Sequence, residues 1–301
     1  MHLRVVIKSV LGLYVAVFGH WPSLIRIIDY RFVLEFLGQL QMRMRLALRG
    51  VWGQNVRADD IKSVAEMLKP VDSSSQLVRI GGKGDGGYLV PNDLLGVSAC
   101  FSPGIANNVS FEKQLAGLGI TSYMADYSVD GPPERNSRFD FERLYLASES
   151  DGVMNIRLED WVGWKAKEAG DLILQMDIEG SEWEVLMDTP LETLSRFRLI
   201  VIELHRLDQM LTSHSDFEVV KSVFTKLRKQ FSPVHLHANN CFPALGYQGL
   251  SIPRVLEVTF LRNDRLTQEG KKYEPQIPHP LDEPNTPYKE VKLTSDWTGL
   301  S

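Results

Sequence analysis

A short, mostly apolar run, Leu172 to Met176, lies between Gly170-Asp171 and the acidic segment Asp177-Ile178-Glu179-Gly180-Ser181-Glu182. Too short for a helix and bracketed by turn residues, it reads as a buried parallel strand. Trp183, Val185, Leu186 and Met187 then carry a helical length to Pro190, which stops it. Strand, acidic turn and short helix make one unit of an open parallel sheet. Ligands of such sheets bind outside the carboxyl ends of the strands, which is where Asp177 falls. An acidic first turn also suits the helix dipole, so an ordinary capped helix explains these acids equally well.

The same alternation recurs along the chain. Val97 to Ser102 is a strand, Gly104 turns it, and a helix runs from Ser110 through Leu118. That is the first unit of a nucleotide-binding sheet, where glycine lets the backbone approach a ligand. Thr121 to Asp126 is the second strand. The step from Gly104 to Asp126 matches the spacing, about 20 residues, at which an acid accepts hydrogen bonds from ribose hydroxyls. Phe139 to Leu146 is a third strand, and Arg198 to His205 is a buried one by its β-branched content. A helix over Asp216–Gln230 and strands over Pro233–Asn240 and Arg254–Arg262 complete the set. The link Asn239–Pro253 holds Pro243, Gly246 and Gly249 without a helical pattern, so the last two strands pair antiparallel. The expected fold is α/β: a doubly wound, mostly parallel seven-stranded sheet with a terminal antiparallel strand. Ahead of it stand a helix over Ala58–Lys69 and a hairpin over Leu77–Pro91. Five glycines at 81, 82, 84, 86 and 87 turn that hairpin, more than a tight turn needs, and they would admit a ligand. The Gly-Lys-Ser/Thr ending of a P-loop is absent.

The Asp177-Ile178-Glu179-Gly180-Ser181-Glu182 segment resembles the Asp-x-Glu-Gly-x-Glu signature of the FkbM-type family of class I S-adenosylmethionine (SAM) dependent methyltransferases. Three further stretches are similar to segments of that family. They are Gly84-Asp85-Gly86-Gly87-Tyr88, the run from Ser102 through Gly104, Asn107 and Asn108 to Glu112, and His235-x-His237-x-Asn239-Asn240. The resemblance implies a Rossmann-like sheet and SAM as cofactor. It implies cofactor contacts from Gly84, Asp85, Gly86, Tyr88, Ser102, Gly104, Asn107, Asp126 and Asp177, with Asp177 nearest the methyl group. It points to O-methylation of a hydroxyl on a sugar, a glycan or a related natural product. Class I methyltransferases usually carry more glycines in the first loop than the single Gly104 found here.

A hydroxyl nucleophile benefits from a base, and the candidates are Asp177, Glu179, His205 and His237. Asp177, Glu203, His205 and His237 are also of metal-ligating type. The sequence shows no His-Glu-x-x-His spacing, and no metal is expected. Two other functions stay open. An NAD(P)-dependent oxidoreductase is disfavoured, because Gly-x-Gly-x-x-Gly is missing and no Tyr-x-x-x-Lys pair lies near the end of the sheet. A non-catalytic, membrane-associated binding module with a degenerate cofactor loop is the other.

Composition limits the setting. The 301 residues are 44% hydrophobic and 24% charged, ordinary for a globular protein, and the net charge of -5 argues against nucleic acid as partner. Residues 1–57 hold eight Lys/Arg against two acids and read as a basic amphipathic helical extension. Its apolar face would pack on the rest of the chain or on a second copy in a homodimer, ahead of peripheral contact with a membrane. A methyltransferase domain is expected over 58–263 and a proline-rich tail, extended or disordered, over 264–301. Two isolated cysteines, Cys100 and Cys241, suit a reducing cytoplasm.

Overall fold

Helix α1 (Ala58–Met67) opens the computed structural model, which describes residues 56–266 and 275–299. The amphipathic extension expected before it lies outside the described residues, apart from its last two positions. Asp59 and Asp60 stand in the first turn of α1, where the dipole favours them, and Ile61, Val64 and Ala65 bury its apolar stripe. Strands β1 (Leu77–Ile80) and β2 (Tyr88–Pro91) pair antiparallel on either side of the glycine-rich loop.

The sheet begins at β3 (Val97–Pro103), followed by α2 (Ser110–Gly117), β4 (Thr121–Ala125) and β5 (Phe139–Glu142). The expected third strand is split. The chain breaks after Glu142 and forms β6 (Tyr145–Ala147), which pairs with β7 (Asn155–Arg157) outside the main sheet. Next come α3 (Leu158–Lys165), β8 (Asp171–Met176), α4 (Glu182–Asp188), α5 (Leu191–Leu194) and β9 (Phe197–His205). A 3-10 turn (Leu207–Leu211) and α6 (His214–Leu227) lead to β10 (Phe231–Ala238). A small hairpin, β11 (Leu245–Tyr247) with β12 (Leu250–Ile252), precedes β13 (Val255–Arg262), and α7 (Ser295–Thr298) closes the chain.

Seven strands form one sheet in the order β10-β13-β9-β8-β3-β4-β5. The last strand in sequence, β13, runs antiparallel to both neighbours and is wedged between β9 and β10 rather than added at the edge. Antiparallel neighbours need no crossover helix, so the link between β10 and β13 holds only the hairpin. Side chains alternate along β9. Ile200, Ile202 and Leu204 enter the larger core cluster with α1, α3, α4 and α6, whereas Leu199 and Val201 enter the cluster under α2 and the β1–β2 hairpin. By the same period of two, Glu203 and His205 continue the hairpin-side face to the strand's carboxyl end.

Of the two expectations for the tail, extended or disordered, the described residues 275–299 take the first. Residues 275–299 are pinned to the sheet by His235 Nε2 and Asp282 Oδ1 at 2.8 Å and by Asn240 Nδ2, which donates to the carbonyls of Thr286 and Tyr288. Trp297, 1% exposed, donates its indole N–H to the Ser251 carbonyl at 2.9 Å. The buried indole adds apolar area to the hydrogen bonds that hold the strap.

Candidate active site

Two loops meet at the carboxyl ends of β3 and β8. The Asp177 N–H donates to the Pro103 carbonyl at 3.3 Å, and Gly104, at φ +86°, passes directly over the Asp177 carbonyl. A Cβ at 104 would overlap that oxygen, so this one position of the loop must be glycine. The chain then turns through Glu179, at φ +58°, and Gly180, at φ +110°, into α4. Glu182, the first residue of α4 and fully buried, holds the turn: its Oε1 accepts from the N–H groups of Ile178 and Gly180, both at 3.1 Å. The same oxygen lies 3.1 Å from His205 Nδ1, and Trp183 Nε1 donates to the His205 carbonyl at 2.7 Å. The start of α4 therefore fixes both the ring and the backbone at the end of β9.

With Nδ1 occupied, His205 turns Nε2 into a group of carboxylates. Glu203 Oε1 is 3.6 Å away, Glu179 Oε2 3.7 Å and Asp177 Oδ1 3.9 Å. Burial pushes the Asp177 carboxyl up to about 7 against the pull of His205, with Glu179, Asp85 and Glu182 adding to the rise. Burial also raises Glu203 well above the ordinary carboxylate range, and the charges of Asp177, Glu257 and Asp85 push it further while Asn239 opposes. Burial works against the His205 imidazolium. The hydrogen bond and charge of Glu182, then the charges of Asp177 and Glu179, outweigh it, and the ring lies above its ordinary value. Such groups share their protons as a set. Strongly shifted acids beside an imidazole at a strand's carboxyl end make this cluster the candidate functional site.

Of the four base candidates, Asp177, Glu179 and His205 are brought together. His237 is not: its Nδ1 lies 3.0 Å from Glu257 Oε2, beside the strap. It is nonetheless in register with the site, because His237, Glu257 and Glu203 stand directly opposite one another across β10, β13 and β9.

The cofactor candidates divide in the same way. Gly104 and Asp177 touch. Asp126 is buried, and its carboxylate accepts from Ala106 N–H and from the N–H and hydroxyl of Ser128, at 2.7–2.8 Å. Asn107 is exposed on the loop after β3. Ser102 is fully buried in contact with Glu112 Oε1 and with Gln175 Oε1 at 2.5 Å, so its hydroxyl supports the sheet rather than the surface of the site. Tyr88 is a core residue, its ring edge-on to Phe111. The glycines of the hairpin loop serve its own crossing: Cβ atoms at Gly81, Gly86 and Gly87 would strike Gly86 O, Asn108 and Gly82 O respectively. Gly84 faces the strap near Pro284. Asp85 is exposed, and its backbone carbonyl accepts from Asn108 Nδ2 at 2.8 Å, which ties the hairpin loop to the loop after β3.

Two residues of the cluster carry no role in the sequence reasoning that matches their position. Glu182 orients His205, and the i, i+2 spacing of Glu203 and His205 on a strand was the signal that both share a face. Asn239 donates to Glu203 Oε1 at 2.7 Å across the inserted strand β13, a contact that no spacing announces.

Residues 105–232 match the family described as methyltransferase FkbM domain. That stretch of the chain is thus similar to FkbM-type methyltransferase domains. No curated protein matches the chain. The matched stretch runs from the loop after β3 to the start of β10 and holds Asn107, Asp126, Asp177, Glu179, Glu203 and His205. It stops short of the hairpin loop, Gly104 and His237. The sheet order with β13 reversed between β9 and β10 is that of a Rossmann-like methyltransferase. No helix among the described residues is long and apolar enough to cross a membrane.

Proposed function

We propose that this methyltransferase transfers a methyl group from SAM to a hydroxyl of a sugar, a glycan or a related natural product. The observation that carries this reading is the cluster of Asp177, Glu179, Glu203 and His205 at the carboxyl ends of β8 and β9, beside the Gly104–Asp177 contact. SAM, when bound, supplies an electrophilic methyl on a sulfonium. The residues present suit it. Gly104 keeps the backbone free of side chain where two loops meet, and Asp126 Oδ2 accepts one hydrogen bond, from Ala106, leaving a lone pair for a ribose hydroxyl. The surplus of carboxylates favours a cation over the site and repels a phosphodiester, which supports a neutral polyol acceptor rather than nucleic acid.

Methyl transfer is an in-line displacement, so the chain's main tasks are alignment and removal of the hydroxyl proton. His205 Nε2 is positioned for that proton because Glu182 holds the opposite nitrogen. Glu182 first, then Asp177 and Glu179, stabilise the imidazolium that results. Acceptor choice falls to the loops at 127–138, 206–213 and 239–254 that surround the strand ends. A reducing cytoplasm fits a chain with only two cysteines, Cys100 and Cys241.

Calorimetric titration of the purified chain with SAM, S-adenosylhomocysteine and NAD is the test. Micromolar binding of the first two with NAD silent is the expected outcome, followed by methyl incorporation into a panel of glycans. Binding of NAD alone would overturn the reading.

A further inference from the structure

We infer that Asp177, Glu203 and His205 bind a divalent first-row metal ion, with Glu182 and Asn239 holding two of the three donors in place. Each of the three residues offers a ligand atom, and these atoms all lie within 4.8 Å of one another. His205 Nε2 stands 3.6 Å from Glu203 Oε1 and 3.9 Å from Asp177 Oδ1. An ion about 2.0–2.2 Å from each donor separates its donors by similar distances.

Three further observations point to an ion rather than to a mere crowd of acids. Glu203 is 4% exposed, and its Oε2 has no hydrogen-bond partner although the atom is buried. A buried carboxylate oxygen without a partner is costly, and a cation would supply what the protein leaves out. His205 is set up as ligating histidines are: Nδ1 against the buried Glu182 carboxylate, Nε2 left with its lone pair toward the other donors. Glu203 is oriented in the same manner by the Asn239 amide. Finally, among the described residues, the only ion-pair partner of Asp177, Glu179, Glu182 and Glu203 is His205 itself. Among the described residues, one imidazole is the sole basic side chain paired with these four acids.

Two carboxylates and an imidazole suit Mn²⁺, Fe²⁺ or Zn²⁺ more than Ca²⁺. Three protein donors leave coordination positions open, on the side where Asp177 is partly exposed and Glu179 is 88% exposed. An acceptor hydroxyl would occupy one of them and lose its proton more readily there, with Glu179 and not the ion-held His205 Nε2 as its acceptor. That last role rests on the methyltransferase reading; binding of the ion does not.

The test uses the full chain, stripped with chelator and titrated with MnCl₂. Free Mn²⁺ is followed by paramagnetic resonance and heat by calorimetry. One ion per chain is expected, with affinity at least tenfold weaker in Glu203→Gln and Asp177→Asn and roughly 10- to 100-fold weaker in Glu182→Gln, which touches no ion. Asp177 is partly exposed, so Asp177→Asn tests the site even if the buried variants fold poorly. Absence of binding by the folded wild-type chain, or binding unchanged in Asp177→Asn and Glu203→Gln, overturns the inference. SAM titrated into the same preparation separates the two readings. Mn²⁺ bound without SAM would sink the cofactor alone, and SAM bound without Mn²⁺ would sink the metal site alone.

Discussion

The two ends of β8 and β9 carry charge in opposite arrangements. At the amino end, Asp171 meets Arg198 and Arg262, each at 2.7 Å, and Asp93 meets Arg198 at 3.3 Å and Arg265 at 2.7 Å. Arg198 also donates to the carbonyls of Asp93 and Leu95, so its guanidinium is satisfied although only 6% of the side chain is exposed. Burial works to raise Asp171, but the hydrogen bonds from Arg198 and Arg262 outweigh it and hold the carboxyl below its usual range. At the carboxyl end, four acids share one imidazole, and Asp177 and Glu203 are raised. The same strands thus end in a balanced network on one side and one with more acids than bases on the other. A balanced end can be kept for stability alone. An end with more acids than bases opposes folding, a cost that a ligand or a reaction using the acids would offset.

The contrast can be broken at either end. The largest expected effect is on turnover. Asp177→Asn should cut methyl transfer to an identified acceptor by about 10²–10⁴-fold while the melting temperature stays near that of the wild type. Equal losses of activity and stability would make Asp177 a structural residue and erase the distinction. Arg198→Met should do the reverse. It takes one of two arginines from the half-buried Asp171 and the Arg198 donors from the Asp93 and Leu95 carbonyls, and should cost about 1–3 kcal/mol in urea unfolding, with SAM affinity retained in the folded fraction. A loss of SAM affinity with stability intact would show that the amino end is not merely structural.

Asp126→Ala sharpens the assignment of the carboxyl end. SAM affinity should fall roughly tenfold, and stability should fall with it, because Ala106 and Ser128 lose their acceptor. Unchanged affinity in calorimetry would remove Asp126 from the cofactor site. The smallest effect concerns pH. Asp171 is held below its unfolded value of about 3.9, so its pairing stabilises the fold fully above that pH and is lost as pH falls through the lower folded value. The wild-type urea midpoint should therefore drop at pH below about 4, and Asp171→Asn should flatten that part of the curve. An equally steep drop in the variant would mean that the amino end owes little to its ion pairs.

Most of the sheet was legible before any fold was seen. The strands expected over Val97–Ser102, Thr121–Asp126 and Arg198–His205 differ from β3, β4 and β9 by one residue at one end. Apolar runs and the turn residues that bracket them are local signals, and strand content depends on little else. The Asp-x-Glu-Gly-x-Glu segment was equally visible, and Asp177 stands at a strand's carboxyl end as its position after the run requires. The hairpin within 245–252 escaped, since two strands of three residues leave no period to count. For the tail, proline content left extended and disordered both open, and the burial of Trp297 goes with the first.

Sequence by itself therefore determined which residue types exist for this chemistry and which strand each one ends, because both follow from short-range pattern. Only the tertiary structure decided which of them meet. Insertion of β13 between β9 and β10 sends His237 to Glu257 and the strap, while the turn into α4 folds Glu182 back under His205. Those choices depend on strand order and on one buried carboxylate's hydrogen bonds. Contacts between residues 20 or more positions apart leave no period in a single sequence.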